Sequence, residues 1–222
     1  MRKLPYTTYN PFFFIPFIAW LIAGGILVAT VDKQSLFQPF NAHHTAVSDV
    51  VMHNVTHMGE GGFIVVVLLL LFAFTAFRSW WYFIAAVVCN VLPSFVIQFL
   101  KKTFHAPRPL TYFNNAGWIH MENNWDKLYH DSFPSGHSAG AFSLFCFLSM
   151  LLPKAYRGWG LLFFILGLSV CYSRMYLAAH FFEDVYAGSV IGTLTTLAGF
   201  SIMRRYRPSL ATQTDSLTFS DS

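Results

Sequence analysis

Long apolar runs separated by short polar segments dominate this sequence and limit what it can fold into. Six of them are recognisable, at residues 11–30, 63–77, 80–100, 135–152, 158–179 and 182–203. A helix of about 20 apolar residues spans the hydrocarbon core of a bilayer, and it satisfies its own backbone hydrogen bonds there. The pattern therefore predicts an all-α integral membrane protein with six transmembrane helices.

The composition agrees with a membrane protein and argues against a soluble domain. Of the 222 residues, 55% are hydrophobic and only 11% are charged. Soluble domains carry about 25% charged residues. The formal net charge of +4 comes from basic residues scattered between the apolar runs, without the clustered patch that nucleic-acid binding needs. We therefore expect membrane lipids as partners and no binding of nucleic acid.

The sequence also predicts the structure of two segments outside the apolar runs. Residues 49–58 can form an interfacial amphipathic helix between the first and second spans. Its His53 and His57 are four residues apart, as two metal ligands on a helix would be, but without a nearby third ligand we interpret them as interfacial. Residues 1–208 are predicted to form one membrane domain, and residues 209–222 a disordered cytoplasmic tail.

The distribution of lysine and arginine predicts the orientation, because basic residues favour the cytoplasmic side of a membrane protein. With the N-terminus inside, eight basic residues fall on the cytoplasmic side and six on the opposite side. Eight of the 10 acidic residues lie on that opposite side. We therefore expect both termini to be cytoplasmic.

Three clusters of polar residues fall on the same predicted side of the membrane, at the ends of apolar runs. In the first, Lys101 and Arg108 are seven residues apart, and Pro107 and Pro109 stiffen the turn that carries Arg108. A guanidinium binds phosphate oxygens in a bidentate manner, and an ammonium adds a point charge. The cluster can bind a specific phosphate, or it can be a basic segment that attracts lipid headgroups in general.

The second cluster opens the fourth apolar run with the sequence Pro-Ser-Gly-His. Ser135 is a suitable N-cap, and Gly136 lets a ligand approach the free backbone N–H groups of the first turn. His137 would point toward an anion bound there and could deliver a proton. The alternative is an ordinary capped helix with an interfacial histidine. We favour the anion site because each residue of the motif has a use in it.

The third cluster joins the fifth and sixth apolar runs. His180 and Asp184 are four residues apart, so on a helix the carboxylate can reach one imidazole nitrogen and leave the other free. Arg174 could hold an anion in front of the free nitrogen if the chain bends between them. Alone, these residues could equally be a structural ion pair, although ionisable side chains at membrane depth are functional candidates by default.

Pooled, the three clusters supply two arginines, a lysine, a helix N-terminus and two histidines around one point. Such a set suits a dianionic phosphate and provides two groups for acid–base or nucleophilic chemistry. The sequence shows no carboxylate cluster and no Cys/His set suited to a metal beside them. It therefore predicts phosphoryl transfer through a covalent intermediate, with no metal and no other cofactor.

These motifs resemble the three-part signature of the type-2 phosphatidic acid phosphatase superfamily. They are Lys-x6-Arg-Pro at 101–109, Pro-Ser-Gly-His at 134–137 and Ser-Arg-x5-His-x3-Asp at 173–184. The resemblance implies that His180 attacks phosphorus, that Asp184 orients His180, and that His137 protonates the leaving oxygen and then activates water. The residues that it implies for binding the phosphoryl oxygens are Lys101, Arg108, Ser135, Gly136 and Arg174.

The same resemblance implies a phosphatase that acts on a lipid phosphate or diphosphate at the outer interface of the membrane. We expect a bacterial inner membrane, with the site facing the periplasm or a lumen. Phosphatidate, phosphatidylglycerol phosphate, undecaprenyl diphosphate and a lipid A phosphate all remain candidates. The alternatives are a lipid phosphotransferase on the same fold and a catalytically silent lipid-binding protein. Residues 110–133, with Trp118 and Trp125, are expected to cover the pocket and to help choose the headgroup.

Overall fold

The computed structural model describes residues 9–73, 79–122 and 125–205. Within these ranges the chain forms nine α-helices and no strand, which confirms the all-α prediction. The helices are α1 (Pro11–Thr30), α2 (Lys33–Ala42), α3 (Ala46–Thr56), α4 (Gly61–Ala73), α5 (Trp80–Phe104), α6 (Pro109–Tyr112), α7 (Gly136–Leu151), α8 (Trp159–Tyr176) and α9 (Phe182–Arg205). Short 3-10 turns at His57–Gly59 and Lys154–Tyr156 precede α4 and α8.

Four helical segments are long and apolar enough to cross a membrane, namely α1, α5 with its continuation α6, α8 and α9. A fifth crossing results if α3 and α4, which meet at an angle of 64°, are taken as one broken span. Helix α7 is apolar but has only 16 residues. The protein is therefore an integral membrane protein, as predicted, while the count of six spans stays a prediction. The second predicted run and the tail at 209–222 extend outside the described residues.

Helix α7 lies at the centre of the bundle, packed against α5, α8 and α9. Its first contacts with α9 are made backbone to backbone: a Cβ on Gly188 would collide with the carbonyl group of Ser135, and one on Gly192 with that of Ala139. Small residues permit such close approach between helices in a membrane. The start of α7 and the start of α9 are thereby held together.

Aromatic rings fill the space between α1, α7 and α8. Phe13 of α1 contacts Phe142 of α7 at 6.4 Å between ring centroids and Phe164 of α8 at 5.9 Å, both edge to face. Phe142 and Phe164 also contact each other at 6.0 Å. Edge-to-face pairs are favourable beyond the area that they bury. This cluster joins the first span to the helices that carry the second and third motifs.

Two short helices follow the first span, where the sequence predicted one. Helix α3 contains most of the predicted amphipathic segment, and its location at the membrane interface stays a prediction. Helix α2 was not predicted. Both helices are attached to the last turn of α8. The side-chain amide of Asn41 donates a hydrogen bond to the carbonyl of Tyr176 at 2.8 Å, and the Tyr176 hydroxyl donates to Asp49 at 2.5 Å. Helices α2 and α3 therefore lie over the end of α8, where the third motif begins.

Candidate active site

The three predicted clusters come together where α5, α7 and α8 meet the start of α9. The first and third are in contact, because Nη1 of Arg108 lies 3.4 Å from Nε2 of His180. The second and third are joined by a hydrogen bond of 3.0 Å from the backbone N–H of Ser135 to the carbonyl of Asp184. Residues more than 70 positions apart in the chain thus form one site.

A sharp turn after α8 places His180 in this site. Ala178 adopts a left-handed backbone conformation with φ of 51°, which is uncommon for a residue with a side chain. The N–H groups of Ala179 and His180 then both donate to the carbonyl of Arg174, at 3.0 and 3.2 Å. This is the bend between Arg174 and His180 that the sequence interpretation required.

The two nitrogens of the His180 ring face different partners. Nδ1 lies 3.5 Å from Oδ2 of Asp184 and 3.5 Å from Oγ of Ser132, whereas Nε2 faces the guanidinium of Arg108. A carboxylate beside one nitrogen keeps the proton there and leaves the lone pair on the other nitrogen. The geometry therefore directs the unprotonated nitrogen of His180, which is 2% exposed, toward the cationic side of the site.

Asp184 is held by its own set of hydrogen bonds. Its Oδ2 accepts a hydrogen bond from the Ser132 hydroxyl at 2.5 Å and another from the backbone N–H of Phe181 at 2.8 Å. Since Asp184 is 1% exposed, these donors compensate for burying a carboxylate. Ser132 contacts both members of the His180–Asp184 pair, and we did not predict it. Only its position two residues before the Pro-Ser-Gly-His motif could have suggested a role.

Backbone carbonyls hold the basic residues of the first motif in place. The Nε of Arg108 donates to the carbonyl of His130 at 2.6 Å, and Nη1 donates to that of Ala179 at 2.8 Å. Lys101 and Arg108 both donate to the carbonyl of Asp131. The two cations are thus fixed side by side at the edge of the site.

The surroundings of His180 keep its imidazole neutral. Burial holds the pKa of His180 well below its ordinary value of 6.5, and the cations Arg108, Arg174 and Lys101 lower it further. Both effects disfavour the charged form. At neutral pH the ring is therefore unprotonated, which is the form that can act as a nucleophile.

Arg174 is buried and only partly satisfied. It is 1% exposed, its Nη1 donates to Oγ1 of Thr56 at 2.7 Å, and its Cζ lies 5.0 Å from the ring centroid of Trp125. Its Nε has no hydrogen-bond partner among the described residues. Leaving a buried donor unsatisfied costs about 1–3 kcal/mol. The open donor is suited to an oxygen of a bound anion.

The Pro-Ser-Gly-His motif forms the start of α7, as predicted. Ser135 is the N-cap, and its Oγ accepts a hydrogen bond from the N–H of Ser138 at 3.3 Å. At Gly136 a Cβ would touch only Ile97, at 3.8 Å, so the protein itself does not require glycine there. His137 lies within electrostatic reach of Arg174, His180, Arg108 and His57. Its Nε2 is buried and has no hydrogen-bond partner among the residues described.

Several other predictions concern residues at the margin of the site. Trp125 contacts Arg174, whereas Trp118 packs instead against Phe37 and Phe113 beneath α2. Their predicted role in covering the pocket and choosing the headgroup stays a prediction. The contacts of Arg174 and His137 with the corner between α3 and α4 were not predicted. Nothing in the spacing of Thr56 and Glu60 relative to the motifs could have indicated them.

The histidines of α3 and the following turn pair with carboxylates. His53 Nδ1 lies 3.1 Å from Oε2 of Glu122, and His57 Nδ1 lies 2.9 Å from Oε1 of Glu60. Within the described ranges, no group of three or more His, Cys, Asp and Glu side chains is arranged to hold a metal ion.

Comparison with solved structures relates the fold to known proteins. LpxE from Aquifex aeolicus is 24% identical, with a TM-score of 0.61, over 76% of this chain and 94% of LpxE. The first transmembrane PAP2-type phosphatidylglycerolphosphate phosphatase from Bacillus subtilis is 19% identical, with a TM-score of 0.62, over 92% of this chain and 96% of that one. At such identities the likeness shows the shared fold. No curated protein sequence matches the chain.

Comparison with protein families settles the resemblance noted in the motifs. The model described as the PAP2 superfamily matches residues 80–208, which is more than half of the chain and includes all three motifs. The predicted class, a lipid phosphate phosphatase, agrees with this match and with the two structural relatives. The site assembled from Lys101–Arg108, Ser135–His137 and Arg174–Asp184 is accordingly that of a family member: the chain belongs to the PAP2 superfamily.

Proposed function

We propose that this protein hydrolyses a lipid phosphate or diphosphate through a phosphohistidine intermediate formed on His180. The orientation of the His180 ring is the observation that carries the proposal. Its Nδ1 faces Asp184 and Ser132, and its Nε2 faces Arg108 at 3.4 Å, where a phosphoryl group would be held by the guanidinium. A neutral imidazole with a carboxylate behind it is an activated nucleophile.

In the first step, Nε2 of His180 attacks phosphorus and the bond from phosphorus to the lipid oxygen breaks. His137 gives a proton to that leaving oxygen, so the lipid departs as a neutral hydroxyl or, from a diphosphate, as a monophosphate. In the second step, water attacks phosphorus and the phosphorus–nitrogen bond breaks. His137 takes the proton of the attacking water, and inorganic phosphate leaves.

The charge that develops on the phosphoryl oxygens is stabilised by groups already in position. Lys101, Arg108 and Arg174 supply three cations, and the start of α7 supplies the N–H of Gly136 and a helix dipole. Ser135 contributes by capping that helix start, since its Oγ is committed to the first turn. All of these groups are fixed by protein contacts before any substrate binds, apart from the open Nε of Arg174.

The proposed location is the outer interface of a bacterial inner membrane, with the site facing the periplasm or a lumen. The ends of α5 and α8 and the starts of α7 and α9 meet at the site, so these ends lie on one side of the bundle. With six crossings and cytoplasmic termini, as the basic residues favour, that side is the outer one. A lipid headgroup at this depth reaches the site while its tails stay in the bilayer.

The proposed substrates are phosphatidate, phosphatidylglycerol phosphate, undecaprenyl diphosphate and a lipid A phosphate. Phosphatidylglycerolphosphate is named for the relative from Bacillus subtilis, and this supports including it among the candidates. Release of inorganic phosphate from each lipid by the purified protein in detergent identifies the substrate. Adding a lipid acceptor to the same assay distinguishes hydrolysis from phosphoryl transfer.

Trapping the intermediate tests the mechanism. Protein quenched during turnover of a ³²P-labelled substrate should carry label that survives alkali and is lost in acid, because phosphohistidine has that stability. The variant His180→Ala should carry no label and release no phosphate, while turnover should persist in EDTA. Label that remains on His180→Ala, or label that alkali removes, would contradict the assignment of the nucleophile.

A further inference from the structure

A carboxylate outside the three motifs lies beside His137. Glu60 stands between the turn His57–Gly59 and helix α4, and its Oε1 is 3.6 Å from Nε2 of His137. The distance is slightly too long for a hydrogen bond, and Nε2 has no other partner among the described residues although it is buried. A small movement of either side chain would close the contact. The same Oε1 lies 2.9 Å from Nδ1 of His57, so the carboxylate of Glu60, whose side chain is 41% exposed, stands between His57 and His137.

Backbone packing fixes the position of Glu60 relative to His137. A Cβ on Gly59 would lie 2.5 Å from the carbonyl oxygen of His137 and 3.0 Å from its Cα. On the facing helix, a Cβ on Gly140 would lie 2.7 Å from the carbonyl oxygen of Gly59. Two glycines are thus needed for the turn to press against the first turns of α7. Glu60, the next residue after Gly59, is held where its side chain reaches His137.

The electrostatic surroundings of His137 explain how a carboxylate beside it could assist the reaction. Burial and the cations Arg174 and Arg108 disfavour a positive charge on His137, and the histidines His180 and His57 also lie near it. A general acid must nevertheless carry the proton that it donates. A nearby carboxylate favours the charged imidazolium and offsets the cations. Glu60 also faces Arg174, so its charge acts on both residues.

We propose that Glu60 is the positioning residue of His137: it orients the ring and stabilises the imidazolium that protonates the leaving oxygen. With Nε2–H directed at Glu60, Nδ1 gives its proton to the leaving oxygen and later recovers one from the attacking water. The relation parallels that of Asp184 to His180, but Glu60 lies outside residues 80–208, which the family model matches. The inference rests on the proposed function, because it assigns a role in that reaction.

The experiment compares kcat, KM and their pH dependence for the wild type, Glu60→Gln and Glu60→Asp, using a lipid that the wild type hydrolyses. Glu60→Gln should lower kcat by about tenfold with little change in KM, since part of the contribution of a general acid is lost. Without the carboxylate the imidazolium loses its proton more easily, so the basic limb of the kcat profile should move about one pH unit lower. Glu60→Asp keeps the negative charge, so its kcat and its basic limb should lie between those of the wild type and those of Glu60→Gln.

Glu183→Gln is the matched control. Glu183 also pairs with a cation, Lys33 at 2.5 Å, whereas among the described residues Glu60 is the carboxylate within 4 Å of the His137 ring. The pH profile of Glu183→Gln should coincide with that of the wild type. A purely structural role for Glu60 would lower the melting temperature and reduce kcat equally at every pH.

The outcomes separate the two proposals. If the wild type releases phosphate and Glu60→Gln keeps the wild-type kcat and basic limb, the role of Glu60 is wrong while the proposed function stands. If Glu60→Gln lowers kcat equally at every pH and Glu60→Asp does not restore it, the role of Glu60 is likewise wrong while the proposed function stands. If Glu60→Gln fails to fold, an unshifted basic limb in Glu60→Asp overturns the role. If the wild type releases phosphate from none of the four lipids, the proposed function fails and the inference fails with it.

Discussion

The two halves of this protein contribute to the candidate site in different ways. The half from α5 to α9 carries every residue of the three motifs, and its helices approach each other closely at Gly188 and Gly192. The half from α1 to α4 carries none of them, yet Oγ1 of Thr56 accepts a hydrogen bond from Arg174 and Glu60 lies beside His137. The C-terminal half supplies the residues proposed to bind phosphate, and the N-terminal half contacts two of the site residues from outside.

Side chains are more deeply buried in α7, in the C-terminal half, than in α4, in the N-terminal half. Along α7 nearly every side chain is buried, whereas in α4 only Ile64 is. A Cβ at Gly61 or Gly62, at the start of α4, would meet nothing within 4 Å. At the site, the N-terminal half acts through the packing of Gly59 against α7 and through the polar contacts of Thr56 and Glu60. Removal of those polar contacts one at a time should be measurable.

The largest effect is expected for Asp184→Asn, in the C-terminal half. The uncharged amide holds the proton on Nδ1 of His180 less firmly than the carboxylate does, even where its oxygen still accepts from Ser132 and Phe181. We expect kcat to fall by about 10⁴-fold, as in a hydrolase triad that loses its carboxylate. Phosphate release by the folded variant measures the loss. A decrease of less than about tenfold would show that Asp184 is structural, since tenfold corresponds to only about 1.4 kcal/mol.

Thr56→Val should have the next largest effect, and it tests the N-terminal half. Valine matches threonine in shape but removes the hydroxyl that accepts from Nη1 of the buried Arg174, at 2.7 Å. A hydrogen bond to a charged group is worth about 1.5–3 kcal/mol, so kcat/KM should fall by about 10- to 100-fold. Thr45→Val, at the exposed cap of α3, is the control. Equal activity in both variants would mean that Arg174 does not depend on the N-terminal half.

The sequence predicted the membrane helices and the pairing within a motif better than the contacts between distant segments, for a physical reason. The bounds of α1 and the starts of α5 and α9 agree with the apolar runs, because one helix in a membrane is defined by its own composition. The pairing of His180 with Asp184 follows from their spacing across a single turn and helix start. In contrast, Thr56 and Glu60 reach the site through contacts between distant segments, which local spacing does not encode.

The glycines provide a matched pair of stability variants. Gly192→Ala places a methyl group against the carbonyl of Ala139, so α7 and α9 must separate. Such overpacking costs about 1–3 kcal/mol. Gly62→Ala meets nothing and should be neutral or slightly stabilising, because alanine favours a helix by about 1 kcal/mol. Melting temperatures in detergent test the pair, and equal values would contradict the difference in packing between the halves.

The pH profile should separate the two histidines. Burial and the cations lower the pKa of His180, so its imidazole stays neutral as the pH falls through 6.5. The rate of phosphoenzyme formation should therefore be largely retained at about pH 5.5, where a histidine with an ordinary pKa would be about tenfold depleted in its neutral form. Glu60→Gln should leave this acid limb in place while it moves the basic limb. An acid midpoint at or above pH 6.5 would contradict the lowered pKa of His180.

The smallest effect is expected where α2 touches α9 at the surface. Nζ of Lys33 lies 2.5 Å from Glu183 and 4.5 Å from the ring centroid of Phe181, but both charged side chains are partly exposed, at 27% and 36%. Partly exposed ion pairs of this kind contribute about 0.2–1 kcal/mol to the free energy of unfolding. Lys33→Met keeps the apolar stem and should change kcat/KM by less than about fivefold, less still at high salt. A double-mutant cycle with Glu183→Gln measures the pair. A tenfold loss would place α2 among the parts that support the phosphate site, alongside the corner that carries Thr56 and Glu60.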